Sequence, residues 1–132
     1  MELLGLSLKD ILKRSKKHFS TKCVMTIGMQ MLDRLEKFHD EGFIHCDIKP
    51  DNILIGNYTN DNKAMNVLYL IDYGISQKYL SEDGKHHELK HRVAFKGNVI
   101  FSSKNAFAGK TLSRRDDIIS LAYFLIFCIN SK

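Results

Sequence analysis

The sequence predicts a mainly α-helical α+β domain that carries a few short strands. Three observations predict it. Apolar residues recur at helical spacing between Val24 and Phe38, short runs of strand-forming residues punctuate the middle of the chain, and a nearly unbroken apolar stretch fills Ile118 to Ile129.

The elements follow in order. Ser7-Leu8-Lys9-Asp10 has the form of a helix N-cap with an acid three residues on, so a short helix is expected from there to about Lys17. Ser20 can cap a longer helix whose apolar face is Val24, Ile27, Met31, Leu35 and Phe38, with Gly42 placed to end it. Phe43-Ile44 and Ile53-Leu54-Ile55 read as two short strands around the polar segment from His45 to Asn52. Val67 to Ile71 reads as a third strand, reached through an Asn- and Asp-rich connection and stopped at Asp72-Tyr73-Gly74. From Ser76 to Lys110 periodicity is poor and Lys and His are frequent, which predicts a long, mobile, basic loop. Ser113 then caps a last helix with Asp116 and Asp117 in its first turn, where acids favour the helix dipole. Its apolar residues cover every side, so burial all round is expected.

The bulk properties bound the function. The chain has 132 residues, 44% hydrophobic and 27% charged, the composition of one ordinary globular domain or part of one. The 118–129 stretch, about 12 residues, is well short of the roughly 20 that cross a bilayer. The net charge of +5 suits acidic or phosphorylated partners, and solvated lysines would give the same balance. Cys23, Cys46 and Cys128 are scattered without CxxC spacing, which favours neither a disulfide framework nor zinc and fits the cytoplasm or the nucleus. Asn57-Tyr58-Thr59 matches a glycosylation sequon without a signal peptide, and a chance match is expected. His86, His87 and His91 lack helical periodicity and a completing carboxylate, so a solvated basic loop is expected rather than a metal site.

Chemistry concentrates in His45-Cys46-Asp47-Ile48-Lys49-Pro50-Asp51-Asn52. A carboxylate, an ammonium two residues later and an amide three after that share one loop, and a second carboxylate, Asp72, stands on a turn after the next strand. Phosphoryl transfer needs such a set: a base to orient a hydroxyl, a cation to offset developing charge, and oxygen ligands for Mg²⁺.

The order H-x-D-x-K-P-x-N followed by D-aromatic-G resembles the catalytic loop and metal-binding turn of protein kinases. Met1-Glu2-Leu3-Leu4-Gly5 with Ser7-Leu8, then Asp47 to Asn52, then Ser113-Arg114-Arg115-Asp116-Asp117 resemble the casein kinase I group, and like that group the chain lacks Ala-Pro-Glu. The resemblance implies a protein-kinase-like fold, with 1–132 forming a partial kinase domain from the hinge through the buried helix. It implies the mainly α-helical C-terminal lobe, with the N-terminal lobe absent. It implies ATP-dependent phosphorylation of Ser or Thr in protein substrates, acidic ones among them, with Mg²⁺ and without nucleic acid or membrane. By the same resemblance Asp47 is the catalytic base and Lys49 assists at the transferred phosphate. Asn52 and Asp72 hold the metal; Leu4 meets the adenine edge, Asp10 the ribose and Leu54 the face of the base. Asp117 braces the catalytic loop or caps its own helix.

Several positions depart from the pattern. No GxGxxG occurs among the eight glycines, so the chain alone is expected to lack activity. Val93-Ala94-Phe95-Lys96 imitates the lysine-bearing strand motif in the wrong half. Cys46 replaces the usual arginine before the base. In Gly97-Asn98-Val99-Ile100-Phe101, Asn98 replaces a threonine and is expected not to reproduce its hydroxyl geometry. Ile100 replaces an arginine that binds acidic or phosphorylated groups in casein kinase I enzymes. The rival reading is a pseudokinase or scaffold lobe that binds protein partners without catalysis. A nucleic-acid-binding domain would need aromatic-basic interleaving or zinc spacing, which the chain lacks.

Overall fold

The computed structural model describes residues 4–15, 18–57 and 66–130. Four α-helices, a one-turn 3-10 helix (Pro50–Asn52) and four short strands occur among them: α1 (Leu8–Ser15), α2 (Thr21–Asp40), β1 (Phe43–Ile44), β2 (Ile53–Ile55), β3 (Leu68–Leu70), β4 (Gln77–Lys78), α3 (Lys104–Phe107) and α4 (Arg114–Asn130). Lys16 and Lys17, Tyr58 and Thr59 of the sequon, most of the Asn-rich connection, and Met1 to Leu3 of the hinge-like segment lie outside the described residues.

The caps of α1 and α2 act as the sequence implies. Ser7 Oγ accepts the Asp10 N–H at 3.1 Å and donates back to the Asp10 carboxylate at 2.6 Å, closing the first turn of α1. Ser20 Oγ accepts the Cys23 N–H to open α2, and Gly42 ends that helix region at a φ of +84°. Asp116 reaches back to the Ser113 N–H at 2.8 Å at the head of α4.

The core lies between α2 and α4. Val24, Ile27, Met31 and Leu35 from α2 meet Leu121, Phe124 and Cys128 from α4, with Ile48, Ile53, Leu68, Leu70 and Phe101 closing the cluster. Phe124 is fully buried; truncating such a phenylalanine to alanine costs about 3–5 kcal/mol. A smaller cluster of Ile44, Tyr79, Ala106 and Leu112 fastens the segment that precedes α4.

The strands pair otherwise than as neighbours around a loop. β2 pairs antiparallel with β3, with Ile53 opposite Leu70, Leu54 opposite Tyr69 and Ile55 opposite Leu68. β1 pairs antiparallel with β4, Phe43 opposite Lys78 and Ile44 opposite Gln77. The loop from His45 to Asn52 is thus held at both ends by separate two-stranded ladders.

Two expectations need correction. The segment from Ser76 to Lys110 is not one long loop: it holds β4, a bridge between Leu80 and His86, and the one-turn α3. Its anchors Tyr79, Phe101 and Ala106 are single buried hydrophobic residues set too far apart to produce a period. Helix α4 is not buried all round either. Ile118, Tyr123, Ile126, Phe127 and Ile129 are 38–55% exposed, because α2, Phe101 and their neighbours cover only one side.

Candidate active site

Asp47 sits at the bottom of the loop between β1 and the one-turn helix Pro50–Asn52, and it is buried. Three side chains donate to its carboxylate. Lys49 Nζ reaches Oδ2 at 2.6 Å, Asn52 Nδ2 reaches the same oxygen at 3.0 Å, and Asn98 Nδ2 reaches Oδ1 at 3.1 Å. Burial opposes ionisation of Asp47, and the Lys49, Asn98 and Asn52 hydrogen bonds outweigh it, holding the carboxyl below its ordinary value. The result is an ionised, buried carboxylate oriented by three side-chain donors.

The loop backbone is fixed from below by α4. Asp117 Oδ2 accepts the His45 N–H at 2.8 Å and contacts His39 Nε2 at 2.9 Å, while Oδ1 accepts the Cys46 N–H at 2.9 Å. Those bonds hold Cys46 at a φ of +69°, a region unfavourable to side chains with a Cβ. Burial, with Asp117 adding to it, pushes the Cys46 thiol up to about 12, so it stays protonated. His45 Nδ1 accepts the Asp47 N–H at 3.2 Å and its Nε2 faces the Ile71 carbonyl at 3.0 Å. That pair of partners selects the neutral tautomer with the proton on Nε2. Burial lowers the His45 pKa in the same direction.

His45 also locates the second carboxylate. The Ile71 N–H donates to the Asn52 carbonyl at 2.9 Å, so Asp72 follows directly on the residue that pairs with Asn52. The next ring, Tyr73, packs against His45 and Phe38 with centroids 5.2 and 5.1 Å away, and its hydroxyl donates to the Leu70 carbonyl at 2.9 Å. Asp72 itself is exposed at a φ of +64°, and its Oδ1 accepts the Gly74 N–H at 3.3 Å. The Asn52 amide nitrogen is turned onto the Asp47 carbonyl and carboxylate, so its oxygen is the group left to coordinate. A carboxylate and an amide oxygen are hard donors that suit a small divalent cation. Among the described residues no cluster of three or more His, Cys, Asp or Glu could hold a metal ion.

The remaining sequence-predicted residues lie on β2, on α1 and on the segment that precedes α1. The Gly5 N–H donates to the Ile55 carbonyl and the Ile55 N–H to the Leu6 carbonyl, which lays the segment after Leu4 along β2. Leu54 bridges Ser7 and is half-buried, as is Leu4. Asp10 is committed to Ser7, whose hydroxyl is the main cause of its lowered pKa. Lys9 pairs with Asp51, tying α1 to the loop. The structure therefore joins Asp47, Lys49 and Asn52 directly, sets Asp72 next to Ile71, which pairs with Asn52, and brings Leu54 against Ser7, the partner of Asp10.

Asn98 also reaches the candidate site: its amide donates to both Asp47 Oδ1 and the Ile48 carbonyl (3.4 Å), and its oxygen accepts the Phe101 N–H at 2.7 Å. The amide side chain spans a gap that backbone approach at Gly97 has already narrowed. His39 was missed altogether, and one buried histidine near the end of a helix carries no signal of its partner. The three loop histidines His86, His87 and His91 are exposed, with His86 Nδ1 facing the His87 carbonyl at 2.9 Å. They belong to a basic segment with an open hollow of about 450 Å³ near Ser81, Lys85 and Lys90, which shares no residue with the Asp47 set.

No helix among the described residues is long and apolar enough to cross a membrane. A paired carboxylate and ammonium on a braced loop, followed by an amide and a second carboxylate, is the arrangement that protein kinases use. The family model of the protein kinase domain matches residues 1–132, and the chain belongs to that family.

Proposed function

We propose that residues 1–132 form the C-terminal lobe part of a serine/threonine kinase domain of the casein kinase I kind, which phosphorylates protein substrates on Ser or Thr. The observation that carries this reading is the shared grip of Lys49 and Asn52 on one oxygen of Asp47. It leaves Oδ1, steadied by Asn98, to receive an acceptor hydroxyl. ATP supplies the phosphoryl group and Mg²⁺ offsets its charge, as is general in protein kinases.

The chain's own residues do the rest. Asp47 orients the acceptor hydroxyl and takes up its proton as the oxygen becomes a nucleophile. Lys49 is close enough to shift between Asp47 and the transferred group, where its charge offsets what develops in transfer. Asn52 and Asp72 are the groups suited to hold magnesium. Leu4 and Leu54 offer an apolar edge to the adenine, and Asp10 stands near it for the ribose. Cys46, neutral and half-buried, supplies no charge to dock a phosphate, so this lobe is proposed to act without such docking.

The test joins the chain to the kinase-domain segment that carries the glycine-rich loop and the strand lysine. Labelled phosphate transfer to mixed protein substrates is then followed with residue identification. The reading expects phosphoserine and phosphothreonine, with the signal lost in Asp47→Asn. A folded fusion that binds ATP but transfers nothing would favour the partner-binding scaffold instead.

A further inference from the structure

Lys9 is the second residue of α1, and a cation in the first turn opposes the helix dipole. Its compensation comes from outside the helix. The ammonium pairs with Asp51, 42 residues along the chain, whose hydrogen bond and charge raise the Lys9 pKa. Asp51 is the middle residue of the one-turn helix Pro50–Asn52, directly before the residue that grips the candidate base.

Both ends of this link are set in ordered surroundings. Beside Lys9, Leu8 is buried in the main core, Ser7 and Asp10 close the first turn, and Ser7 bridges Leu54 of β2. Beside Asp51, the Asn52 N–H donates to the Lys49 carbonyl at 3.0 Å, and its side-chain nitrogen reaches the Asp47 carbonyl and carboxylate, each at 3.0 Å. The Asn52 carbonyl in turn takes the Ile71 N–H at 2.9 Å. Those bonds tie the turn to Asp47 and Ile71, and the Lys9 pair ties it to α1. The two side chains are 45% and 36% exposed, so the pair adds little to the stability of the whole fold. What it adds is a fixed register between α1 and the turn.

We propose that Lys9 is a positioning residue: through Asp51 it holds the Pro50–Asn52 turn in the orientation that aims the Asn52 amide. The proposal rests on the kinase reading above for what Asn52 would hold. It makes α1, which continues from the segment laid along β2, the outer support of a residue suited to hold magnesium.

Two readouts test it. In the 132-residue chain, hydrogen exchange at the backbone N–H and side-chain amide of Asn52 is compared among the parent, Lys9→Met, Asp51→Asn and the double variant. Each single variant should exchange about two- to fivefold faster at Asn52, the range for an exposed ion pair, while the buried Leu35 of α2 keeps its rate. The double variant should be no faster than either single one, because all three lose the same interaction. Lys9→Arg should keep the parent's rate. In the joined domain, the magnesium concentration that half-saturates ATP binding should rise by the same factor in Lys9→Met. Unchanged exchange at Asn52, equal acceleration at Asn52 and Leu35, or additive effects in the double variant would overturn the proposal. A joined parent that binds ATP with a magnesium requirement unaffected by Lys9→Met would also overturn it and leave the kinase reading standing. A joined parent without magnesium-dependent ATP binding would sink the kinase reading, and the exchange rates at Asn52 would then decide this one alone.

Discussion

The carboxylate of Asp117 accepts the backbone N–H of Cys46 at 2.9 Å, so a residue of the last helix holds the peptide next to the candidate base in a left-handed conformation. The same carboxylate takes the His45 N–H and His39 Nε2, and Asp117 is buried. Removing it would strand three polar groups in a dry interior. Asp117→Ala should therefore destabilise the fold by about 3–5 kcal/mol, read as the loss of urea-unfolding free energy. A change under about 1 kcal/mol would show that the brace is dispensable.

The His45 ring makes stability depend on pH. Burial holds its pKa below the ordinary 6.5, so the unfolded chain binds the proton more readily than the folded one. Stability contributed by neutral His45 is complete above pH 6.5 and declines as pH falls from there toward the folded-state value. Protonating Nδ1 also removes the acceptor of the Asp47 N–H. His45→Asn should flatten the loss of unfolding free energy below pH 6.5, where one proton is worth at most about 1.4 kcal/mol per pH unit. Parallel slopes in variant and parent would contradict the assignment.

Gly97 and Gly84 offer a controlled pair. Both have positive φ, +118° and +75°, but a Cβ at Gly97 would meet Ser102 Oγ at 2.5 Å and one at Gly84 meets nothing within 4 Å. Gly97→Ala should cost about 3 kcal/mol through strain plus overpacking, and Gly84→Ala about 1 kcal/mol through strain alone. Equal midpoints in thermal or urea unfolding would show that the close approach at Gly97 does not matter.

Much of this architecture is legible in the sequence, for physical reasons that differ by element. Helix α2 announces itself because one face must be apolar at a period of 3.6 and because Ser20 and Gly42 punctuate it. The Asp47, Lys49 and Asn52 set is legible because its members share one short loop. Strand β4 is not, since Gln77 and Lys78 pair through backbone groups that carry no side-chain pattern. Helix α4 misleads because apolar residues on every side look the same whether or not a neighbour covers them. The Asn98 contact with Asp47 is not legible because it spans 51 residues of chain and depends on how closely Gly97 lets the backbones approach.

The uncovered side of α4 has a consequence for behaviour in solution. Ile118, Ile126 and Ile129 fall on one stripe of the helix, and each is at least 40% exposed. The chain should self-associate at micromolar concentration through this stripe, and Ile126→Lys should shift it toward monomer in light scattering. A parent chain that is monodisperse and monomeric across that range would contradict this.

The proposed function divides the labour between two aspartates, with Asp47 acting on the acceptor hydroxyl and Asp72 on the metal. In the joined domain, magnesium-dependent ATP binding of Asp47→Asn and Asp72→Asn separates the two roles. Asp47→Asn should keep ATP binding nearly unchanged while its transfer rate falls by about a thousandfold or more, within the range for loss of a positioned base. Asp72→Asn should lose both, because the metal would be shared between that carboxylate and the phosphates. Loss of magnesium-dependent binding in Asp47→Asn with retention in Asp72→Asn would contradict this division.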